Sequence, residues 1–166
     1  MKPNYLTILI TTLCIFFNAC HNSNTAPQLQ LADSLIDKRA DSALCILEKL
    51  SIEEISNKSA KAMYALLLTE ALDKNFKSHR NDSLILIAVD YYKDNSNHKL
   101  KTKAYYYLGR VYQDNKEYIK ATEAYLTALK TASPNQAPIL QIYNNLALCY
   151  ESQEFYLPAI KTYKES

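Results

Sequence analysis

Residues 102–131 read TKAYYYLGRVYQDNKEYIKATEAYLTALKT, and residues 140–166 read LQIYNNLALCYESQEFYLPAIKTYKES. In the first stretch Tyr105, Leu108, Gly109 and Tyr112 are spaced i, i+3, i+4, i+7, one face of a helix. Tyr118, Ala121, Tyr125 and Ala128 follow with helical spacing of their own, and the polar residues Asp114 to Lys116 between them suit a turn. The second stretch repeats this at Tyr143, Leu146, Ala147, Tyr150, Tyr156, Ala159, Tyr163 and Ser166. Every position falls 38 residues after its counterpart, as Leu146 does after Leu108. A fixed period of this size marks a repeat architecture in which each unit buries its apolar face on the next.

The physical role of each position follows from its size. Two helices packed as an antiparallel hairpin need small residues where their backbones approach. Gly109 and Ala121 serve there in one copy, Ala147 and Ala159 in the next. Gly109 is the only glycine of the chain. In a helix interior it costs about 1 kcal/mol against alanine, so a packing reason is expected. Each buried tyrosine needs a partner for its hydroxyl or a route to solvent.

The alternation of aromatic and small residues over 102–166 resembles the tetratricopeptide repeat. Tyr105 and Tyr143 stand where that family usually has tryptophan. The connector Ser133 to Pro138 makes the period longer than the family's 34 residues. The resemblance implies an all-α fold: antiparallel helix hairpins stacked as a right-handed α-solenoid.

Working towards the N-terminus, Asp82 is a candidate N-cap for a helix Ser83 to Tyr92, and Ser59 to Asp73 is strongly amphipathic. Leu29 to Ile36 and Ser42 to Leu50 read as a first pair. About eight helices in four hairpins result, the last incomplete at Ser166. No alternating strand pattern competes. Capping helices normally close such arrays, so the expectation is either a natural chain that continues past Ser166 or a truncated gene product.

Met1 to Phe17 has the features of a secretory signal: Lys2, then an uncharged and mostly apolar run from Tyr5, too short to span a bilayer. Phe17-Asn18-Ala19-Cys20 follows and resembles a bacterial lipoprotein cleavage site. That resemblance implies a signal peptide over 1–19, lipid on Cys20, a tether over 20–28 and a repeat domain over 29–166. It places the protein in the bacterial cell envelope, membrane-anchored and facing the periplasm.

The whole chain has a formal charge of +2, and losing Lys2 with the signal leaves it near +1 (18 basic against 17 acidic residues). That balance offers no attraction to nucleic acid. Cys45 and Cys149 lie on apolar stretches far apart in sequence, which suits two buried thiols rather than a disulfide. His21, His79 and His98 fall in loops or the tether without metal-ligand spacing and read as solvated. Asp33, Asp37 and Asp41 read as solvated acids. A single glycine excludes a phosphate-binding loop, and no nucleophile elbow occurs. No catalytic set, cofactor or metal site is expected.

Lys103, Tyr106, Arg110 and Gln113 form a stripe about 110° round from the packing face, following about 100° per residue. Gln141, Asn144, Leu148 and Glu151 are its counterparts in the next copy. In the resembled family this stripe lines a concave groove, which implies a bound protein or peptide held by Tyr106, Arg110 and Asn144. Ala104, Tyr107 and Val111 form a third face, expected to pack on the preceding hairpin. The leading functional expectation is a non-enzymatic, lipid-anchored interaction scaffold. Two others are a sensory region of a longer signalling protein and, from the 14 tyrosines, a glycan-binding lipoprotein.

Overall fold

A computed structural model of the chain describes residues 25–79, 81–133, 138–155, 158, 161 and 162. The signal peptide, Cys20, most of the tether, the connector 134–137 and the final repeat positions Tyr156, Ala159, Tyr163 and Ser166 lie outside the described residues. Seven helices are described: α1 Ala26–Leu35, α2 Ala40–Leu47, α3 Lys58–Lys74, α4 Ser83–Tyr92, α5 His98–Asp114, α6 Tyr118–Thr131 and α7 Ile139–Ser152. Among the described residues there is no strand. The fold is all-α.

Local chemistry sets the helix starts. Asn57 caps α3 by accepting from the Ala60 amide at 3.0 Å, and Asn97 caps α5 by accepting from the Leu100 amide at 3.1 Å. α1 begins at Ala26, inside the expected tether, because Pro27 sits in its first turn, where a missing N–H costs nothing. Asp82 stands at the N-cap of α4, but its side chain makes no cap bond. It accepts instead from the Tyr112 hydroxyl at 3.1 Å, and Asn81 takes the Ser83 amide.

The helix ends repeat. After α3, α5 and α7 the chain turns through Phe76, Lys116 and Glu154, all with φ near +60° (55°, 61° and 62°). At each, the left-handed residue's N–H returns to the carbonyl three residues earlier: Phe76 to Asp73, Lys116 to Gln113, Glu154 to Glu151. The next N–H reaches back five: Lys77 to Leu72, Glu117 to Tyr112, Phe155 to Tyr150. This is the paired 6→1 and 5→2 bonding of a Schellman turn, made three times without glycine. The repeat is thus present in backbone geometry as well as in side chains.

Each helix packs on its neighbours in sequence, and the odd helices also touch in series, α1 on α3, α3 on α5, α5 on α7. Among the described residues no comparable contact joins α2 with α4 or α4 with α6. A layer of touching helices backed by a layer of separated ones curves towards the first. α3 is the pivot of the core. Tyr64, Leu67 and Ala71 bury against α1 and α2, while Ala62, Ala65 and Leu66 bury with α4 to α7.

The close approach at Gly109 is made by a ring. A Cβ there would lie 2.4 Å from Cε1 of Tyr125, which is fully buried. The phenol hydroxyls have the required partners: Tyr125 donates to Gln113 Oε1 at 2.7 Å and Tyr64 to the Leu50 carbonyl at 3.3 Å. Ala104, Tyr107 and Val111 are buried in the cluster that includes α3, as expected. Cys149 is buried, but Cys45 is exposed. α2 is only 8 residues long and buries Ala43, Leu44 and Leu47, which leaves Cys45 on the outer side.

Candidate binding groove

The odd helices present their shared face to an open groove of about 730 Å³. Its floor is Glu70 and Asp73 of α3 with Tyr106 and Tyr107 of α5. Lys74, Lys99 and Lys103 supply positive charge, and Asp33 and Asp37 from the α1 end supply negative. Asn97, Lys99 and Gln141 are exposed at the rim.

Glu70 is the unusual element, a carboxylate 2% exposed on a helix whose other buried residues are mostly alanine and leucine and carry no charge. A buried charge needs partners. Lys74 lies 3.2 Å from Oε1 and Lys103 lies 2.5 Å from Oε2, the latter as a charge contact without hydrogen-bond geometry. Burial opposes the charge of Lys74, yet Asp37 and Glu70 hold its ammonium above the ordinary lysine value. Burial first, and then the charge of Glu70, push the Tyr107 phenol far above its usual range.

Behind the groove floor is a second charged group. The Arg110 Nε donates to Asp73 Oδ1 at 2.8 Å, and its Nη1 donates to Asn145 Oδ1 at 3.3 Å. Burial opposes ionisation of Asp73, but the nearby His79 ring and the Arg110 guanidinium bring its carboxyl below the usual range. Asn145 also reaches the Tyr106 hydroxyl, at 3.5 Å. The Tyr106 ring stacks edge-on to Tyr107 at 4.9 Å, and burial, then the charge of Asp73, push its phenol up to about 12.

Of the residues expected in the groove from sequence, Lys103, Tyr106 and Gln141 line it. Arg110 is tied to Asp73, and Gln113 accepts the Tyr125 hydroxyl, so both also hold helices together. Asn144 and Leu148 are exposed on α7, and neither lines this groove; the neighbouring Asn145 is the residue that bonds Arg110 and Tyr106 within the fold. Asn145 is the counterpart of Tyr107, 38 residues on, and so it faces the preceding hairpin. Glu70 and Asp73 were not anticipated. At about 100° per residue both acids fall off the apolar stripe of α3, so periodicity alone assigns them to solvent.

His79 is a correction to the reading of a solvated histidine. It lies in the α3–α4 loop, but its side chain is 3% exposed. The loop folds inward and sets the ring between the C-terminal ends of α3 and α5, beside Asp73 and Asp114.

No protein-family model and no curated protein matches this sequence. Among the described residues no helix is long and apolar enough to cross a membrane.

Proposed function

We propose that this protein is a non-enzymatic interaction scaffold of tetratricopeptide type, anchored by lipid on Cys20 in a bacterial cell envelope, that holds a protein or peptide in the groove of its odd helices. The observation that carries this reading is the groove itself. It is open, about 730 Å³, floored by tyrosine, and bordered by both signs of charge. Tyr106 and Tyr107 are 8% and 4% exposed, so they form a rigid floor, and a partner would meet the exposed rim residues Asn97, Lys99 and Gln141 first. The mixed charges suit a peptide carrying both lysine and acidic side chains rather than a polyanion.

The test uses rim residues that do not hold the fold. A double variant Lys99→Glu, Gln141→Glu is compared with the unaltered protein by affinity capture from detergent-solubilised membranes of its own cells. The reading predicts a partner retained by the unaltered protein and lost by the double variant, with the same melting temperature for both. Equal capture by the two would remove the groove from the account. The anchor is tested by intact mass, which should show cleavage before Cys20 and an added lipid. A mature N-terminus elsewhere would sink that part.

A further inference from the structure

We infer that Asp73, His79 and Asp114 form a binding site for a divalent transition metal, zinc by its chemistry. The three sit at the end of α3, in the α3–α4 loop and at the end of α5, so 41 positions of sequence close on one point. One donor atom from each lies within 4.8 Å of the others.

The imidazole carries the argument. His79 Nε2 is buried and has no hydrogen-bond partner among the described residues. It is aimed between two carboxylate oxygens, 3.9 Å from Asp73 Oδ1 and 3.7 Å from Asp114 Oδ2. A hydrogen bond from an imidazolium would close to about 2.8 Å. Ligands held at about 2.1 Å around a tetrahedral ion stand about 3.4 Å apart. The observed separations on both sides of the ring lie nearer the second value. Closing the whole set on an ion needs the carboxylates to move by about 1 Å.

Ligand type and charge agree. One imidazole nitrogen with two carboxylates suits zinc and its neighbours better than magnesium or calcium, which prefer all-oxygen shells. Among the described residues Arg110 is the other charged group facing the site: it bonds Asp73 at 2.8 Å, and its Nη2 is 3.9 Å from Asp114 Oδ1. Two carboxylates against one guanidinium leave a net negative site for the cation, and Arg110 orients Asp73 as hydrogen-bonded carboxylate ligands are oriented elsewhere. The Asp114 side chain is 28% exposed, which opens a path for the ion and leaves room for a water ligand. The ion would clip the α3–α4 loop to two successive hairpins beneath the groove.

The experiment is zinc titration of the full chain in detergent, by calorimetry and by melting temperature, beside His79→Gln and Asp114→Asn. The site predicts one zinc per chain, a melting temperature raised by zinc and lowered by chelator, and affinity at least about tenfold weaker in each variant. Cobalt in place of zinc should give visible d–d bands without a thiolate charge-transfer band. No zinc binding by the unaltered chain would overturn the inference and leave the cluster a purely ionic one. So would His79→Gln binding zinc unchanged, or a thiolate band, which would place the ion on cysteine.

Discussion

Replacing Gly109 with alanine should destabilise this protein, although the same change in an open helix would stabilise it. The added methyl would lie 2.4, 2.6 and 2.8 Å from Cε1, Cδ1 and Cζ of Tyr125. Carbon atoms rest at about 3.5–4.0 Å, so the ring must retreat by about 1 Å. It has nowhere to go, being fully buried and tied to Gln113 through its hydroxyl at 2.7 Å. Alanine gains about 1 kcal/mol of helix propensity. Overpacking a core costs about 1–3 kcal/mol, and straining the phenol hydrogen bond adds about 1 kcal/mol. The balance is a loss of about 1–3 kcal/mol, or about 4–10 °C in melting temperature for a domain of this size. Thermal unfolding followed by circular dichroism at 222 nm reads it directly. Tyr125→Leu removes the clash, so the double variant should lose less than the two single variants added together. A higher melting temperature for Gly109→Ala, or strict additivity with Tyr125→Leu, would refute the packing argument.

Lys116 holds φ of 61°, a conformation that costs an L-residue about 1–2 kcal/mol and glycine almost nothing. Lys116→Gly should therefore stabilise by about 0.5–1 kcal/mol in urea unfolding, after the extra entropy of glycine in the unfolded chain is set against it. The buried phenols and the Cys149 thiol predict alkaline unfolding. Burial pushes Tyr92 and Tyr106 up to about 12, Cys149 up to about 11, and Tyr107 and Tyr125 higher still. Groups raised on folding give stability that is fully present below their unfolded values, about 8.5 for the thiol and 10 for the phenols, and lost as pH rises through the folded ones. Tyrosinate absorbance at 295 nm should therefore rise together with loss of helix above about pH 10, whereas independent ionisation of a folded protein would contradict it. Cys45 should react quickly with an aromatic disulfide and Cys149 only on unfolding, since one is exposed and the other buried. Equal rates in the folded state would contradict this.

The helices were legible because their apolar spacing is regular. α4 begins and ends at the residues expected from Ser83 and Tyr92, and α3 within one residue of the expected Ser59 and Asp73. The Schellman turns were not legible, because the usual glycine signal is replaced by Phe76, Lys116 and Glu154. The packing faces of α5 were legible, with Leu108, Ala104, Tyr107 and Val111 all buried in one core, but the burial of Tyr106 and the partners of the polar residues were hidden. Arg110 meets Asp73 at 37 residues' separation and Asn145 at 35. Such pairings depend on how one hairpin lies on the next, which helical periodicity does not encode. His79 was hidden for the same reason: a lone histidine in a polar loop carries no sign of the two aspartates it will meet. Asp82 shows the reverse case, a good local cap whose carboxylate is taken by Tyr112 from another hairpin.

The most direct test of a groove-binding scaffold is photo-crosslinking in the protein's own membranes. A photoreactive residue is placed at Gln141 on the groove rim and, separately, at Ile119, which is 68% exposed on α6 away from the groove lining. The account predicts a discrete crosslinked partner at Gln141 and none at Ile119. The same partner captured at Ile119 and absent at Gln141 would place binding on the other face and contradict it.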